Sequence, residues 1–447
     1  MCQRKEKTEP SSYRPVAITS ICCKILEHVI YSQTMTHLQK HNILSKLQHG
    51  YRSGCSTETQ LLKVIDLFAK GLDNRSQIDA ISLDFARAFD TVPHERLLTK
   101  MNHYGIRKLL PWFRDYLTGR TQRIVIDGVQ SRLVKMISGI VQGSVIAGLC
   151  FLIFINDLPD SITDSFSGLF CDDTLVAKEI LSTTDSETLQ TDLNKVFEWT
   201  QKWGMSFNTV KCTVMTVSNN KKTLQYNYHL DNNILSRKES IKYLGVTIDN
   251  KLTFKQHTEL KCNSASKLLN LLRRNLYYAP KSVKSKAFTS CVRPILEYAN
   301  ICWAPTSEKQ NNMLEKVQHK AAKFATNIYP KKGHYDSFSM TRLLKELNWN
   351  TLEQRRTQAR LCMVYKIKNN MVILDPSYVP KTADNRLPRL CREPKVGRAN
   401  KLFEKQARLN VTSHTFFYSA PRQWNHLVTA QQANAPNIEA FKQCFDK

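Results

Sequence analysis

Apolar residues recur every three or four positions from Ile21 to Leu38 (Ile25, Leu26, Val29, Ile30 and Leu38). That is the spacing of a helix with one face packed against something large. A second helical stretch, Glu58 to Leu72, carries Leu61, Leu62, Val64, Ile65 and Phe68 and follows a glycine- and arginine-bearing loop over Gly50 to Thr57. Ala80 to Phe85 instead reads as a short buried strand ending on Asp84. Pro93 stops any continuation, and Glu95 to Tyr104 returns to helical spacing. Polar and apolar positions alternate over Gln122 to Ile126 and Arg132 to Ile137 around Asp127-Gly128, which predicts a β-hairpin whose connection is longer than the minimal two-residue turn.

An apolar helix is expected over Val145 to Ile155, then two short strands over Gly168 to Ala177 with Cys171-Asp172-Asp173 at their tip. A helix over Glu187 to Trp203 and strands near Cys212 to Val217 and Tyr243 to Ile248 follow. Beyond Phe254 the pattern changes to long helices (Leu268–Leu276, Val283–Leu296, Asn311–Phe324, Leu352–Lys366), broken by proline-punctuated segments around Pro376–Arg392. The change puts a domain boundary near residues 250–258. Residues 1–12 are polar and expected to fray, and no internal repeat or low-complexity tract stands out. At 447 residues the chain suits two or three packed units.

Charge narrows the function. Sixty-five Lys+Arg against 38 Asp+Glu give +27, the excess expected of a protein with a polyanionic partner, since each neutralised phosphate releases counterions. A merely basic surface is the plainer alternative. The balance is uneven: Thr258 to Lys447 holds 33 cations and 13 anions, leaving 32 and 25 for residues 1–257. The front is nearly neutral, as a catalytic region rich in carboxylates would be. The thirteen cysteines form no C-x-x-C pair, which argues against a zinc knuckle or a disulfide framework and for reduced thiols. Met1 to Pro10 is polar and charged, unlike a secretory signal, and no apolar run is long enough for a membrane span. A soluble, intracellular protein without a membrane partner is expected.

Two consecutive aspartates inside an apolar strand need a reason, because unpaired buried carboxylates are costly. Asp-Asp in a turn is common, so Asp172-Asp173 alone does not decide it. With Asp84 at the end of a strand they match the set that nucleotidyl transfer uses, three carboxylates for two divalent ions about 4 Å apart, but a structural turn stays open on these residues alone.

The order of motifs is more specific. Tyr13-Arg14-Pro15-Val16-Ala17-Ile18-Thr19-Ser20, Gln48-His49-Gly50-Tyr51-Arg52 with Ser56-Thr57, and Leu83-Asp84-Phe85-Ala86-Arg87-Ala88-Phe89-Asp90-Thr91-Val92-Pro93-His94 come first. Ser138-Gly139-Ile140-Val141-Gln142-Gly143-Ser144, Phe151 to Leu158, Phe170-Cys171-Asp172-Asp173, Trp203 to Cys212 and Tyr243-Leu244-Gly245-Val246 follow in turn. From about Ser12 almost to the C-terminus this series resembles the reverse transcriptases of non-LTR (LINE-type) retrotransposons, close to the jockey and chicken-repeat kinds.

The resemblance implies an α+β right-hand polymerase fold: partial fingers over 1–75, a palm with an antiparallel sheet over 76–257 (fingers insertion about 95–137), a helical thumb over 258–330 and a basic C-terminal region over 331–447. It implies an RNA-directed DNA polymerase acting on an RNA template, a DNA primer and dNTPs with two Mg2+ ions, for which Mn2+ can substitute. Nuclear localisation is slightly favoured over cytoplasmic, and no oligomeric state is implied.

By the same resemblance Asp84, Asp172 and Asp173 ligate the ions, and Phe89 is the gate that meets the 2′ position of the incoming sugar, or else an ordinary core phenylalanine. Arg52 grips the triphosphate with its planar fork, or is a surface arginine on a glycine turn. Gln142 and Gly143 lie against the template–primer and incoming base, with the glycine permitting close backbone approach, or form a plain loop before a helix. Lys211 is the candidate proton donor to pyrophosphate. Asp90 and Asp157 are read as structural, at a turn and a helix end. Arg293 to Tyr298, Trp303, Pro305, Leu314 to Gln318, Phe417, Pro421 and Trp424-Asn425 resemble the thumb and C-terminal pattern; Trp349 and Trp424 are expected in the core rather than on bases.

Three departures stand out. Val141 occupies a position usually held by proline, Ala147-Gly148 replace glycine-proline, and Cys171 replaces alanine. Valine at 141 removes a fixed φ and is expected to free the loop. The sequence also begins about a dozen residues before Tyr13, so the upstream fingers segment and endonuclease of intact elements are expected to be missing, as in a truncated copy. A decayed or adopted copy that only binds nucleic acid is the alternative to an active polymerase; a splicing maturase shares the palm but fits Trp203–Cys212 and the C-terminal pattern less well.

Overall fold

The structure is a computed structural model that describes residues 16–305, 307–329, 339–382 and 396–445. Tyr13 to Pro15 of the first motif, the polar residues 1–12 and residues 383–392 of the proline-punctuated segment lie outside the described residues.

Along the chain come α1 (Ile21–Lys40), α2 (Thr57–Asp73), β1 (Gln77–Leu83), the single turn α3 (Ala88–Thr91), α4 (His94–His103) and α5 (Leu110–Leu117). Four two-residue strands follow, β2 (Thr121–Gln122), β3 (Val125–Ile126), β4 (Val129–Gln130) and β5 (Val134–Lys135), then α6 (Ala147–Ile155), β6 (Phe166–Phe170), β7 (Asp173–Ile180), α7 (Thr183–Trp203) and β8 (Thr213–Val217). Next are β9 (His229–Leu230), β10 (Asn233–Ile234), β11 (Ser236–Arg237), β12 (Ser240–Tyr243) and β13 (Val246–Asp249). The rest is helical: α8 (Lys255–Asn275), α9 (Lys281–Ala287), α10 (Arg293–Glu297), α11 (Glu308–Thr326), α12 (Met340–Glu346), α13 (Leu352–Lys368), α14 (Asn410–Ser413), α15 (Phe416–Leu427), α16 (Ala430–Ala433) and α17 (Ile438–Gln443). None of the described helices is long and apolar enough to cross a membrane.

The chain groups into two compact units, one of residues 1–53, 79–216 and 224–238, the other of residues 54–78, 217–223 and 239–447. This grouping cuts across four consecutive segments because α2 joins the C-terminal half.

The first unit is built on a five-stranded sheet in the order β11-β8-β1-β7-β6. The β6–β7 pair is antiparallel, from Phe166 opposite Ala177 to Phe170 opposite Asp173. Every residue of α6 is buried, as its all-apolar sequence requires. Leu97, Leu98 and Met101 of α4 and Leu189, Leu193 and Val196 of α7 complete this core. Each such side chain withdrawn from water contributes about 1.5–3 kcal/mol. Asp79, buried in β1, accepts from Thr216 Oγ1 at 2.7 Å and Tyr228 Oη at 2.9 Å, so its charge is not left bare.

Three expectations are corrected. The α1 stripe is buried only at Ile30, Met35 and Leu38, while Ile25, Leu26 and Val29 are exposed. The hairpin after α5 closes as tightly as a hairpin can, with Ile126 opposite Val129 and only Asp127-Gly128 between. Both turn residues have positive φ (49° and 84°), the primed geometry that suits a right-twisted ladder and an Asp-Gly pair. The Tyr243–Ile248 segment is likewise two strands, not one, turning at Leu244-Gly245 between Tyr243 and Val246.

In the second unit, α2 opens with a capping box in which Ser56 and Thr59 exchange backbone and side-chain bonds. The helix expected over Val283–Leu296 is present and continuous, passing from α9 through a π-turn at Phe288–Val292 into α10, whose second residue is Pro294. Trp349 and Trp424 are both buried, as expected of core residues. The C-terminal helix α15 carries an internal Pro421 that masks its helical spacing in the sequence, yet it buries Phe416, Phe417 and Trp424.

Candidate active site

Asp84 follows directly on β1, and Asp173 opens β7, the neighbouring strand of the sheet. Pairing of Phe170 with Asp173 leaves Cys171-Asp172 as a two-residue turn. Its first residue, Cys171, has φ 56°, a left-handed value that non-glycine residues adopt at a cost of about 1–2 kcal/mol. The three aspartates that sequence motifs singled out thus lie at the ends of adjacent strands of one sheet and in the turn beside them.

Lys211 joins them, its Nζ 2.9 Å from Asp84 Oδ2. That oxygen is sealed from solvent, and the lysine meets it off the angle of a hydrogen bond, so it has an ion-pair partner but no hydrogen bond. Asn208 N–H donates to Asp84 O at 2.7 Å, fixing the loop that carries Lys211 against the end of β1. Among the described residues no three His, Cys, Asp or Glu side chains form a ready-made metal cage. The donor set is nevertheless all carboxylate, the oxygen chemistry that hard divalent ions take, and it includes a buried oxygen with unused acceptor capacity. These residues fit such ions.

The tip is held from outside its own hairpin. Residues 47–49 run beside β6: Leu169 N–H donates to Leu47 O at 3.4 Å and His49 N–H to Leu169 O at 2.9 Å. The buried Gln48 side chain donates to Cys171 O at 3.2 Å and accepts from Cys171 N–H at 2.9 Å and Gly50 N–H at 2.7 Å. A Cβ on Gly50 would lie 2.6 Å from both Cys171 N and Sγ. Burial, reinforced by the Asp172 charge, pushes the Cys171 thiol up to about 12, so it adds no charge beside the aspartates. Burial also raises the Tyr51 hydroxyl, hydrogen-bonded to that thiol, to about 12.

The other predicted residues are placed as follows. Phe89 is half-buried and stacks on Phe151 of α6 with centroids 4.6 Å apart. Gln142 Nε2 donates to Asp90 Oδ1 at 2.7 Å, so Asp90, read from sequence as a turn residue only, also fixes the direction of Gln142. Gly143 has φ 106°, and a Cβ there would lie 2.6 Å from Ala17 O; the close approach that requires glycine is to the chain's own backbone. Arg52 is turned into its own loop, donating through Nη1 to the carbonyls of Ser45 and Gln48. Asp157 is structural as expected, paired with the buried Lys100 and accepting from Trp199 Nε1 at 3.0 Å.

Val141 does not leave the loop free. Gly139 N–H donates to Val92 O, Ile140 N–H to Phe89 O and Ala17 N–H to Gln142 O, at 2.7–2.8 Å. His94 Nε2 meets Gly139 O, Tyr116 Oη meets Ser144 Oγ, and the buried Glu27 accepts from Val145 N–H. Hydrogen bonds replace the rigidity that proline would supply. Gly148 has an equally local cause, for a Cβ there would lie 2.7 Å from the Tyr51 ring.

The family model described as reverse transcriptase (RNA-dependent DNA polymerase) matches residues 4–248, more than half of the chain and all of these site residues. The chain belongs to the reverse transcriptase family. Its sequence is similar to RNA-directed DNA polymerases named for mobile elements and transposons. It is 27% identical over 332 residues to the RNA-directed DNA polymerase from mobile element jockey of Drosophila melanogaster, covering 71% of this chain and 36% of that one. It is 26% identical over 408 residues to the probable RNA-directed DNA polymerase from transposon BS of the same species, covering 86% and 43%. The chain therefore spans less than half the length of these relatives. Among solved structures, apo telomerase from Candida tropicalis aligns over 79% of this chain and 60% of its own at 9% identity with a TM-score of 0.41. Telomerase from Candida albicans bound to a fragment of telomeric RNA aligns over 73% and 54% at 13% identity with a TM-score of 0.37. Both likenesses are too loose to assign residues. Reverse transcriptases generally use divalent metals.

Proposed function

We propose that this chain is the polymerase portion of a non-LTR retrotransposon enzyme and extends a DNA primer on an RNA template from dNTPs, with two Mg2+ ions at Asp84, Asp172 and Asp173. The observation that carries the reading is the arrival of Asp84 and the Cys171–Asp173 turn on neighbouring strands, with Lys211 against Asp84. In the reaction the primer 3′-oxygen loses its proton and bonds to the α-phosphorus as the bond to pyrophosphate breaks. Bound divalent ions would supply charge neutralisation for the attacking and departing oxygens.

The chain's own residues do the rest. Lys211 is a cation at the carboxylate site and delivers a proton to the leaving pyrophosphate. The remaining guanidinium N–H groups of Arg52 take triphosphate oxygens, as a planar fork suits. Phe89, backed by Phe151, limits space at the sugar 2′ position. Gln142, aimed by Asp90, lies along the template–primer and the incoming base. The excess of cations beyond Thr258 supports a surface that holds duplex and RNA.

Primer extension on poly(A)–oligo(dT) with Mg2+ tests this, comparing the chain with Asp172→Ala. Incorporation by the former, reduced by about 10³-fold or more in the latter, is expected for loss of a ligand that stabilises charge in the transition state. Equal and negligible incorporation by both would leave a nucleic-acid-binding protein without turnover.

A further inference from the structure

We infer that Gln48 is a positioning residue for the metal-binding turn: its carboxamide bonds both the N–H and the C=O of Cys171 and sets where Asp172 and Asp173 point. The inference deepens the polymerase reading and rests on it.

Gln48 is fully buried and uses its whole polar end on this task. Its oxygen accepts two N–H groups, Cys171 at 2.9 Å and Gly50 at 2.7 Å, and its nitrogen donates to Cys171 O at 3.2 Å. The opposite amide orientation would press NH2 against two N–H donors, so the bonding pattern itself fixes the assignment. A side chain that accepts from the N–H and donates to the C=O of one residue mimics a neighbouring strand. It does so where no strand continues, since β6 ends at Phe170 and the bridge to residues 47–49 reaches only Leu169.

The turn needs such support because Cys171 holds a left-handed φ, and a non-glycine residue there tends to relax. Gly50 provides an independent observation. Its missing side chain lets the segment bearing Gln48 lie against Cys171, where a Cβ would meet backbone nitrogen at 2.6 Å. Two separate residues of one short segment are thus shaped by the residue immediately before the aspartates. A core glutamine serving only to satisfy itself would not need to act on that peptide.

Gln48→Met keeps the shape and removes all three bonds, whereas Gln48→Glu keeps the two accepted bonds and loses the donated one. The measurements are Mn2+ affinity by EPR titration, and single-turnover incorporation as a function of dNTP concentration. For Gln48→Met the expected result is Mn2+ binding weakened about tenfold and a maximal rate lowered about 10²-fold, the scale of lost outer-shell support, while dNTP half-saturation changes by less than about threefold. Gln48→Glu is expected between Gln48→Met and the parent. If Gln48→Met does not fold, Gln48→Glu carries the test by the same readings.

Mn2+ affinity and maximal rate equal to those of the parent in a folded variant would overturn the assignment. So would a rate loss that vanishes well below the variant's melting midpoint with Mn2+ affinity unchanged, the mark of a merely structural residue. If the parent chain neither extends a primer nor loses Mn2+ affinity on Asp172→Ala, the polymerase reading fails and takes this role with it. If the parent passes both and Gln48→Met matches it, the positioning role alone falls.

Discussion

The hairpin of β6 and β7 and the hairpin of β2 to β5 both turn on two residues, Cys171-Asp172 in one and Asp127-Gly128 in the other. Their surroundings are opposite. Leu169, Leu175, Val176 and Ala177 of the first are fully buried, and its turn is bonded to Gln48. From Thr121 to Lys135 every residue of the second is exposed, including Ile124, Val125, Ile126 and Val129. The outer hairpin has residues suited to its turn and little else to hold it; the inner one has a residue poorly suited to its turn and is held by the rest of the unit. Local preference is enough for a turn at the surface, whereas a turn that must aim carboxylates is fixed by tertiary bonds.

Gly50→Ala should break the inner hairpin most severely, because its Cβ meets Cys171 backbone, which cannot yield without moving the turn. The expected effect is about 10²-fold on maximal incorporation with about 1–3 kcal/mol of destabilisation, read by single-turnover kinetics and denaturant melts. Unchanged incorporation would mean that the turn tolerates displacement.

Gly148→Pro, which restores the residue more usual in this family, should cost about 1–3 kcal/mol through overpacking on Tyr51. The missing N–H should matter little, since position 148 lies in the first turn of α6. Removing the ring should relieve the clash, so a double-mutant cycle with Tyr51→Ala is expected to show a coupling of the same order. Additive losses would place the cost elsewhere.

The smallest effect is expected at the outer hairpin. Gly128→Ala forces alanine to a φ of 84°, which costs about 1–2 kcal/mol locally. Because that hairpin buries no side chain, hydrogen exchange should accelerate for the Ile126 and Val129 amides, the bonded pair beside the turn, while the global melt moves by less than about 0.5 kcal/mol. A cooperative loss of overall stability would show that the hairpin is part of the core's folding unit.

The same contrast explains what the amino-acid pattern made legible. α2, α6 and the β6–β7 pair were readable because their apolar residues are apolar for a core, and burial follows the period. The turn before the aspartates was readable from Cys171-Asp172-Asp173 because carboxylates interrupt a buried strand. The role of Gln48 was not, since nothing in a run of Gln-His-Gly-Tyr-Arg says which peptide 123 residues away its amide will meet. Asp90 reads as structural, but its partner is illegible for the same reason: only the fold brings Gln142 beside its carboxylate. Val141 misled in the other direction, because proline's rigidity is local while the bonds that replace it come from Ala17, Glu27, His94 and Tyr116. The exposed half of α1 has no explanation in its own packing.

The proposed chemistry depends on the carboxylates of Asp84, at the end of β1, and of the β6–β7 turn acting on the same ions. The direct measurement is Mn2+ EPR on the chain with a dideoxy-terminated primer–template and the matching dNTP, comparing the parent with Asp84→Asn. Two spin-coupled Mn2+ ions about 4 Å apart are expected in the parent, with loss of the coupled pair in the variant. An identical coupled pair in Asp84→Asn, or no tightly bound Mn2+ in the parent, would contradict this expectation.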